Sequence, residues 1–133
     1  MKFYIAASLS EVALVRSVSN ALRQHGWTHT YDWTLCCDDA DLNDETMREL
    51  AEHEYNGVKD ADIVLILNPK GRGTHVELGL ALAFEKIVYL YHQNGAFFRS
   101  LSDTVSFYWL PQLHTLSGNL ETALGRILEE NPL

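Results

Sequence analysis

The chain has 133 residues, 47% of them hydrophobic and 21% charged, with a formal net charge of −8 and a pI near 5.1. That length suits one domain, residues 1–133, with a core of its own. The acidity argues against a nucleic-acid polymer as partner, since a phosphate backbone needs a basic surface, and no apolar run is long enough to span a bilayer.

Residues 3–7 predict a first strand, since their apolar run is too short for a secretory signal. Ser8-Leu9-Ser10 follow, and a helix is predicted over residues 11–24, with Ser10 as cap and Gly26 as stop. A second strand is predicted over residues 28–33, rich in β-branched and aromatic side chains. Cys36 and Cys37 are adjacent and cannot form a framework of bridges, which suits a reduced, cytoplasmic setting. The acidic stretch 36–44 reads as a loop. Its Asp38, Asp39 and Asp41 read as a solvated run whose spacing fits no metal-binding loop.

A second helix is predicted over residues 45–58, capped by Asn43 or Asp44. Its apolar residues Met47, Leu50, Ala51 and Val58 cluster on one face at about 100° per residue. Glu54 falls in the middle of that face. A carboxylate there is costly without partners. It either snorkels out at an edge or serves a function that needs a buried acid.

Residues 60–91 form the most informative stretch. A short apolar strand over 63–67 leads into the breaker segment Asn68-Pro69-Lys70-Gly71-Arg72-Gly73. Thr74 opens a helix whose Val76, Leu80, Leu82, Ala83 and Phe84 suit burial, and a strand over 87–91 closes a crossover of parallel strands. Glu77 sits at the start of that helix and admits two readings. In one, Thr74 to Glu77 is a capping box, with Glu77 reaching back to the cap N–H. In the other, Glu77 faces the crevice at the carboxyl ends of the strands as a nucleophile.

The segment 92–106 reads as a loop with a short helical piece, 105–110 as a fifth strand ended by Pro111, and 119–129 as a last helix capped by Ser117 or Asn119. The alternation implies an α/β fold: a flavodoxin-like, doubly wound parallel sheet of five strands, order 2-1-3-4-5, with helices on both faces. In that order the chain reverses between strands one and three. The crevice then lies between Ala7-Ser8-Leu9 and the segment 68–73, within reach of Tyr4, Glu54 and Glu77. No Cys/His metal spacing, Ser/His/Asp arrangement or P-loop accompanies it, and no cofactor is expected. Trp33 and Trp109 are aromatic candidates for stacking a base, though such residues more often serve cores or interfaces.

Gly71-Arg72-Gly73-Thr74-His75-Val76-Glu77-Leu78-Gly79-Leu80-Ala81 resembles the glycine-rich loop and Glu-Leu-Gly segment of the nucleoside 2-deoxyribosyltransferase family. Phe3-Tyr4-Ile5-Ala6 resembles that family's first strand. Residues 54–62 resemble a family segment that begins with an Asp; here the position is Glu54, one methylene longer. The resemblance covers most of the chain. It implies that Glu77 is the nucleophile, that Tyr4 stands beside it, and that Glu54 acts on the base. It also implies substrate contacts from Ala7, Ser8, Asp62, Gly71, Arg72, Gly73 and Thr74. Some members hold the base with an Asp just before the glycine turn, where this chain has Lys70, Gly71 and Arg72. Members acting on nucleotides hold the 5′-phosphate with Ser and Arg; Ser8, Ser10 and Arg72 are the counterparts here.

Chemistry agrees with the resemblance. Cleaving an N-glycosidic bond develops oxocarbenium character that a carboxylate can trap, and a second carboxyl of raised pKa can protonate the leaving base. The expected substrate is a small-molecule nucleoside or nucleotide, with the sugar passed to another base or to water. The competing expectations are a TIR-like nucleotide glycohydrolase and a non-catalytic nucleotide sensor. Phe97, Phe98, Phe107, Tyr108 and Trp109 give more aromatic surface than a domain of this size need bury, so a homo-oligomer, at least a dimer, is expected.

Overall fold

The computed structural model describes residues 1–36 and 42–132. Its regular elements are β1 (Lys2–Ala6), α1 (Val12–Gln24), β2 (Thr28–His29), α2 (Asp44–Asp60), β3 (Ile63–Leu67), α3 (Arg72–Ala83), β4 (Ile87–His92), β5 (Leu113–Ser117) and α4 (Leu120–Glu130). The strands form one parallel sheet in the order β2-β1-β3-β4-β5, the order expected from the sequence. All five residues of β3 are buried, as a central strand requires when helices cover both faces of a parallel sheet. The core runs through Phe3, Ile5, Leu65, Ile66, Leu90 and Ile127. No helix is long and apolar enough to cross a membrane, among the described residues.

Four elements depart from the sequence reading. β2 is only two residues long. The chain leaves β1 after Thr30, whose N–H still donates to Phe3 O at 2.9 Å. Asp32 then diverts it: its Oδ1 accepts the Thr34 N–H at 3.0 Å and starts a 3-10 turn over Trp33–Leu35. A side chain that bonds its own backbone competes with the ladder and wins at an edge.

The fifth strand is Leu113–Ser117, not residues 105–110. The alternation of exposed Phe107, buried Tyr108 and exposed Trp109 mimics a strand, but it belongs to a 3-10 turn over Ser106–Trp109. The true strand buries Leu113 and Leu116, three apart, which hides its period of two.

The third departure concerns α3. It starts at Arg72, with Gly71 as its cap at φ +75°, and no side chain caps it. Only glycine adopts that conformation freely. Thr74 therefore lies inside the first turn, buried, and Glu77 is not the third residue of a Thr74 capping box. At α1, likewise, Ser10 bonds Ser8 (2.8 Å) rather than capping the helix. Asn43 does cap α2, accepting from Glu45 N and Thr46 N at 3.0 Å each, and Asn119 caps α4. The run Asp38, Asp39, Asp41 lies outside the described residues.

Candidate active site

At the carboxyl ends of β1 and β3 lies a cavity of about 290 Å3. Ala7, Ser8 and Leu9 line it from the end of β1, Leu50 and Glu54 from α2, and Lys70, Gly71, Gly73, Thr74 and Glu77 from the loop and first turns of α3. Trp33 completes the wall. The switch point in the strand order is thus where the polar side chains converge.

Each carboxyl is placed by its helix. Starting α3 at Arg72 sets Glu77 in its second turn, on the same buried face as Thr74, Leu78 and Ala81. Its Oε2 accepts a hydrogen bond from the hydroxyl of Tyr4, which projects from β1 and is wholly buried. Glu54 lies one turn before Gly57 and Val58, where α2 presses on the sheet, and is half-buried. Met47 and Ala51, by contrast, are exposed, so the buried face of α2 is narrower than the sequence suggests.

Burial pushes the Glu77 carboxyl up to about 8; the Tyr4 hydroxyl draws it down and the charge of Glu54 raises it further. Burial also holds Glu54 above the ordinary carboxylate range. The Tyr4 phenol is driven up by burial and by its negative neighbours, Glu77 first, so it stays protonated and remains a donor. The charge of Glu54 thus opposes ionisation of Glu77 within one cavity.

Of the residues expected at the site, Tyr4 meets Glu77, and Ala7, Ser8, Glu54, Gly71, Gly73, Thr74 and Glu77 line one cavity. Arg72 stands between the lining glycines but is exposed and does not line it. Asp62 must be moved out of the site. It precedes β3, at the amino ends of the strands, and its Oδ2 accepts from Lys2 N at 2.8 Å, so it faces away from a crevice built at the carboxyl ends. Trp109 is also elsewhere, bordering a separate hollow beside β5.

Trp33, an aromatic candidate from the sequence, does line the site: its indole Nε1–H donates to Ile5 O at 2.7 Å, beyond the residues that β2 pairs. One partner escapes a sequence reading. His75 steadies the glycine turn. Its Nδ1–H donates to Gly71 O at 2.7 Å, and its Nε2 shares a hydrogen bond with the Tyr108 hydroxyl at 2.7 Å. Lys70 is held by Glu11 at 3.4 Å. Among the described residues, no cluster of three or more His, Cys, Asp or Glu is placed to hold a metal ion.

Comparison with solved structures finds the same fold. The CMP N-glycosidase BcmB of Clostridium botulinum aligns with a TM-score of 0.59 at 20% identity, over 96% of this chain and 98% of its own. A conserved protein from Enterococcus faecalis V583 aligns with a TM-score of 0.65 at 16% identity, over 98% of this chain and 99% of its own. No curated protein matches by sequence. The family described as nucleoside 2-deoxyribosyltransferase matches residues 3–125, nearly the whole chain and every residue of the cavity. The chain therefore belongs to the nucleoside 2-deoxyribosyltransferase family, whose enzymes act on nucleosides.

Proposed function

We propose that the protein cleaves the N-glycosidic bond of a nucleoside or nucleoside monophosphate through a covalent glycosyl ester on Glu77. The observation that carries this reading is the buried Glu77, held by the Tyr4 hydroxyl and facing Glu54 in one cavity. A Glu77 carboxylate oxygen attacks the anomeric carbon as its bond to the base breaks. The bonding pair leaves with the base nitrogen, which takes the proton of Glu54. Water or a second base then attacks the ester, and Glu54 takes up the proton released. Tyr4 keeps its proton throughout and orients the nucleophile.

The working form needs the charge on Glu77, where Tyr4 meets it, and a proton on Glu54; burial of Glu77 keeps that form the minor one until pH approaches about 8. Positive charge developing on the sugar favours that distribution. Ala7, Ser8, Gly71, Gly73 and Thr74 would contact the sugar and its 5′ substituent. The amino end of α3 and Arg72 beside it suit a 5′-phosphate, and the similar Clostridium botulinum protein is named for a nucleotide substrate. The acting unit is a homo-oligomer: Val76 and Phe107 stand exposed beside an apolar groove between α3 and residues 105–110, a surface for a second copy.

Incubation with deoxynucleosides, ribonucleosides and their 5′-monophosphates, followed by chromatography for free base, tests the reading. Release with water alone identifies a hydrolase, and release only with a second base identifies a transferase. Binding without release from any of them overturns the reading in favour of a sensor.

A further inference from the structure

Helix α2 touches the Tyr4 ring through a residue with no side chain. A Cβ built on Gly57 would lie 2.9 Å from Tyr4 Cδ2, 3.0 Å from Tyr4 Cε2 and 2.9 Å from Tyr31 Cβ. These distances are shorter than any ordinary carbon contact, and no neighbour there is the free end of a flexible chain. Tyr4 and Gly57 are both buried, so neither can retreat toward solvent.

The same spot is tied by hydrogen bonds. Thr30 Oγ1 donates to Gly57 O at 2.7 Å and lies 3.3 Å from Phe3 O, while Thr30 N–H donates to Phe3 O at 2.9 Å. Thr30 thus joins the backbone of α2 to the backbone of β1 one residue before Tyr4. Next to it, the Tyr31 ring stacks on His53 of α2 at 5.2 Å. Sterics hold the helix off at one distance and hydrogen bonds pull it to that distance.

We propose that Gly57 and Thr30 are positioning residues: together they fix the gap between α2 and β1, and so hold the Tyr4 hydroxyl on Glu77 and Glu54 opposite it. The consequence comes from the helix being one rigid piece. Glu54 lies three residues before Gly57, so a shift at Gly57 moves the acid and the nucleophile's partner together. A displacement of about 1 Å is enough to cost a large part of the rate when both carboxyls must meet one bond. This inference rests on the glycosidase reading for its catalytic meaning but not for its test.

The test reads the Glu77 carboxyl directly. In the protein carrying 13C-labelled glutamate, the pH titration of Glu77 is followed by NMR in the empty site, where Tyr4 faces it from β1, Glu54 from α2, and Lys70 and Thr74 share its cavity. Gly57→Ala is expected to raise the Glu77 midpoint by roughly 0.5 or more, because a donor to the carboxylate is pushed aside. Tyr4→Phe is expected to raise it similarly, and Gly57→Ala to add nothing in that background. Thr30→Val, of equal volume without the hydroxyl, is expected to move it the same way, and Thr30→Ser to restore it. Where substrate is turned over, kcat is expected to fall about tenfold or more with KM within about twofold.

An unmoved or lowered midpoint in both Gly57→Ala and Thr30→Val overturns the inference, as does full additivity with Tyr4→Phe. Should Gly57→Ala not fold, the Thr30→Val and Thr30→Ser pair decides alone. Failure of the wild-type protein to release any base would refute the glycosidase reading and leave the titration result standing on its own.

Discussion

The hydroxyl of Tyr4 donates to Oε2 of Glu77, joining the first strand of the sheet to the third helix inside the cavity wall. Removing it with Tyr4→Phe deletes one donor to a carboxylate while keeping the ring that fills the core. Such a bond is worth about 1.5–3 kcal/mol. We expect kcat to fall about 10- to 100-fold, with Tm lowered by several °C. A Tyr4→Phe enzyme as fast as the parent would show that the hydroxyl does not serve the nucleophile.

Glu77→Gln and Glu77→Ala should each abolish turnover, on the order of 10^3-fold or more, because neither can form the glycosyl ester. Gln matches Glu in shape, so circular dichroism of that variant should be unaltered. Full activity in Glu77→Gln would remove the nucleophile assignment.

The same variant carries a stability prediction. The folded pKa of Glu77 lies near 8, above its ordinary 4.5, so its protonated form is the one the fold prefers. The stability it contributes is complete below about 4.5 and is lost as pH rises through 8. Glu77→Gln cannot lose a proton. Its Tm should match the parent near pH 4.5 and exceed it by roughly several °C at about pH 9. A constant Tm difference across that range, followed by differential scanning fluorimetry, would contradict the burial argument.

Glu54→Gln should fold normally and lose about 10^2- to 10^4-fold in rate with ordinary bases, but far less with a leaving group that needs no proton. The wild-type rate should rise as pH approaches about 8 and Glu77 ionises, and fall again where Glu54 gives up its proton. That alkaline fall should vanish with the activated leaving group. Equal losses for both substrates would take the acid role from Glu54.

Light scattering after size exclusion should give at least twice the mass of one chain. Phe107 and Trp109 are about 60% exposed, whereas Phe98 and Tyr108 are buried and Phe97 packs against them. Two aromatics, not five, are therefore left for a partner surface. Phe107→Ser should shift the protein toward a single chain; one chain with full activity in the parent would dismiss the assembly.

The strand order, the glycine turn and the positions of Glu77 on α3 and Glu54 on α2 were legible in local pattern, whereas the place of Tyr4 beside Glu77 came only from the family resemblance. Ile63–Leu67 is a continuous apolar run, and Gly71 and Gly73 punctuate the segment after it. Legibility failed where a contact crosses the chain. Asp62 lies in a segment that leads to the site, yet the strand carries it to the opposite end of the sheet. Nothing local at Thr30 or Gly57 announces a bond between them, 27 residues apart. The true fifth strand was masked because Tyr108 alternates like a strand residue while bonding His75, 33 residues away.

The crossover from β3 through α3 to β4 is local in sequence, whereas Tyr4 meets Glu77 across 73 residues. Closing that long loop costs chain entropy before any contact repays it. Glu77 thus belongs to a compact, local piece of chain, whereas Tyr4 can reach it only once β1 has paired with β3. On refolding, recovery of activity is therefore expected to report completion of the sheet rather than formation of α3.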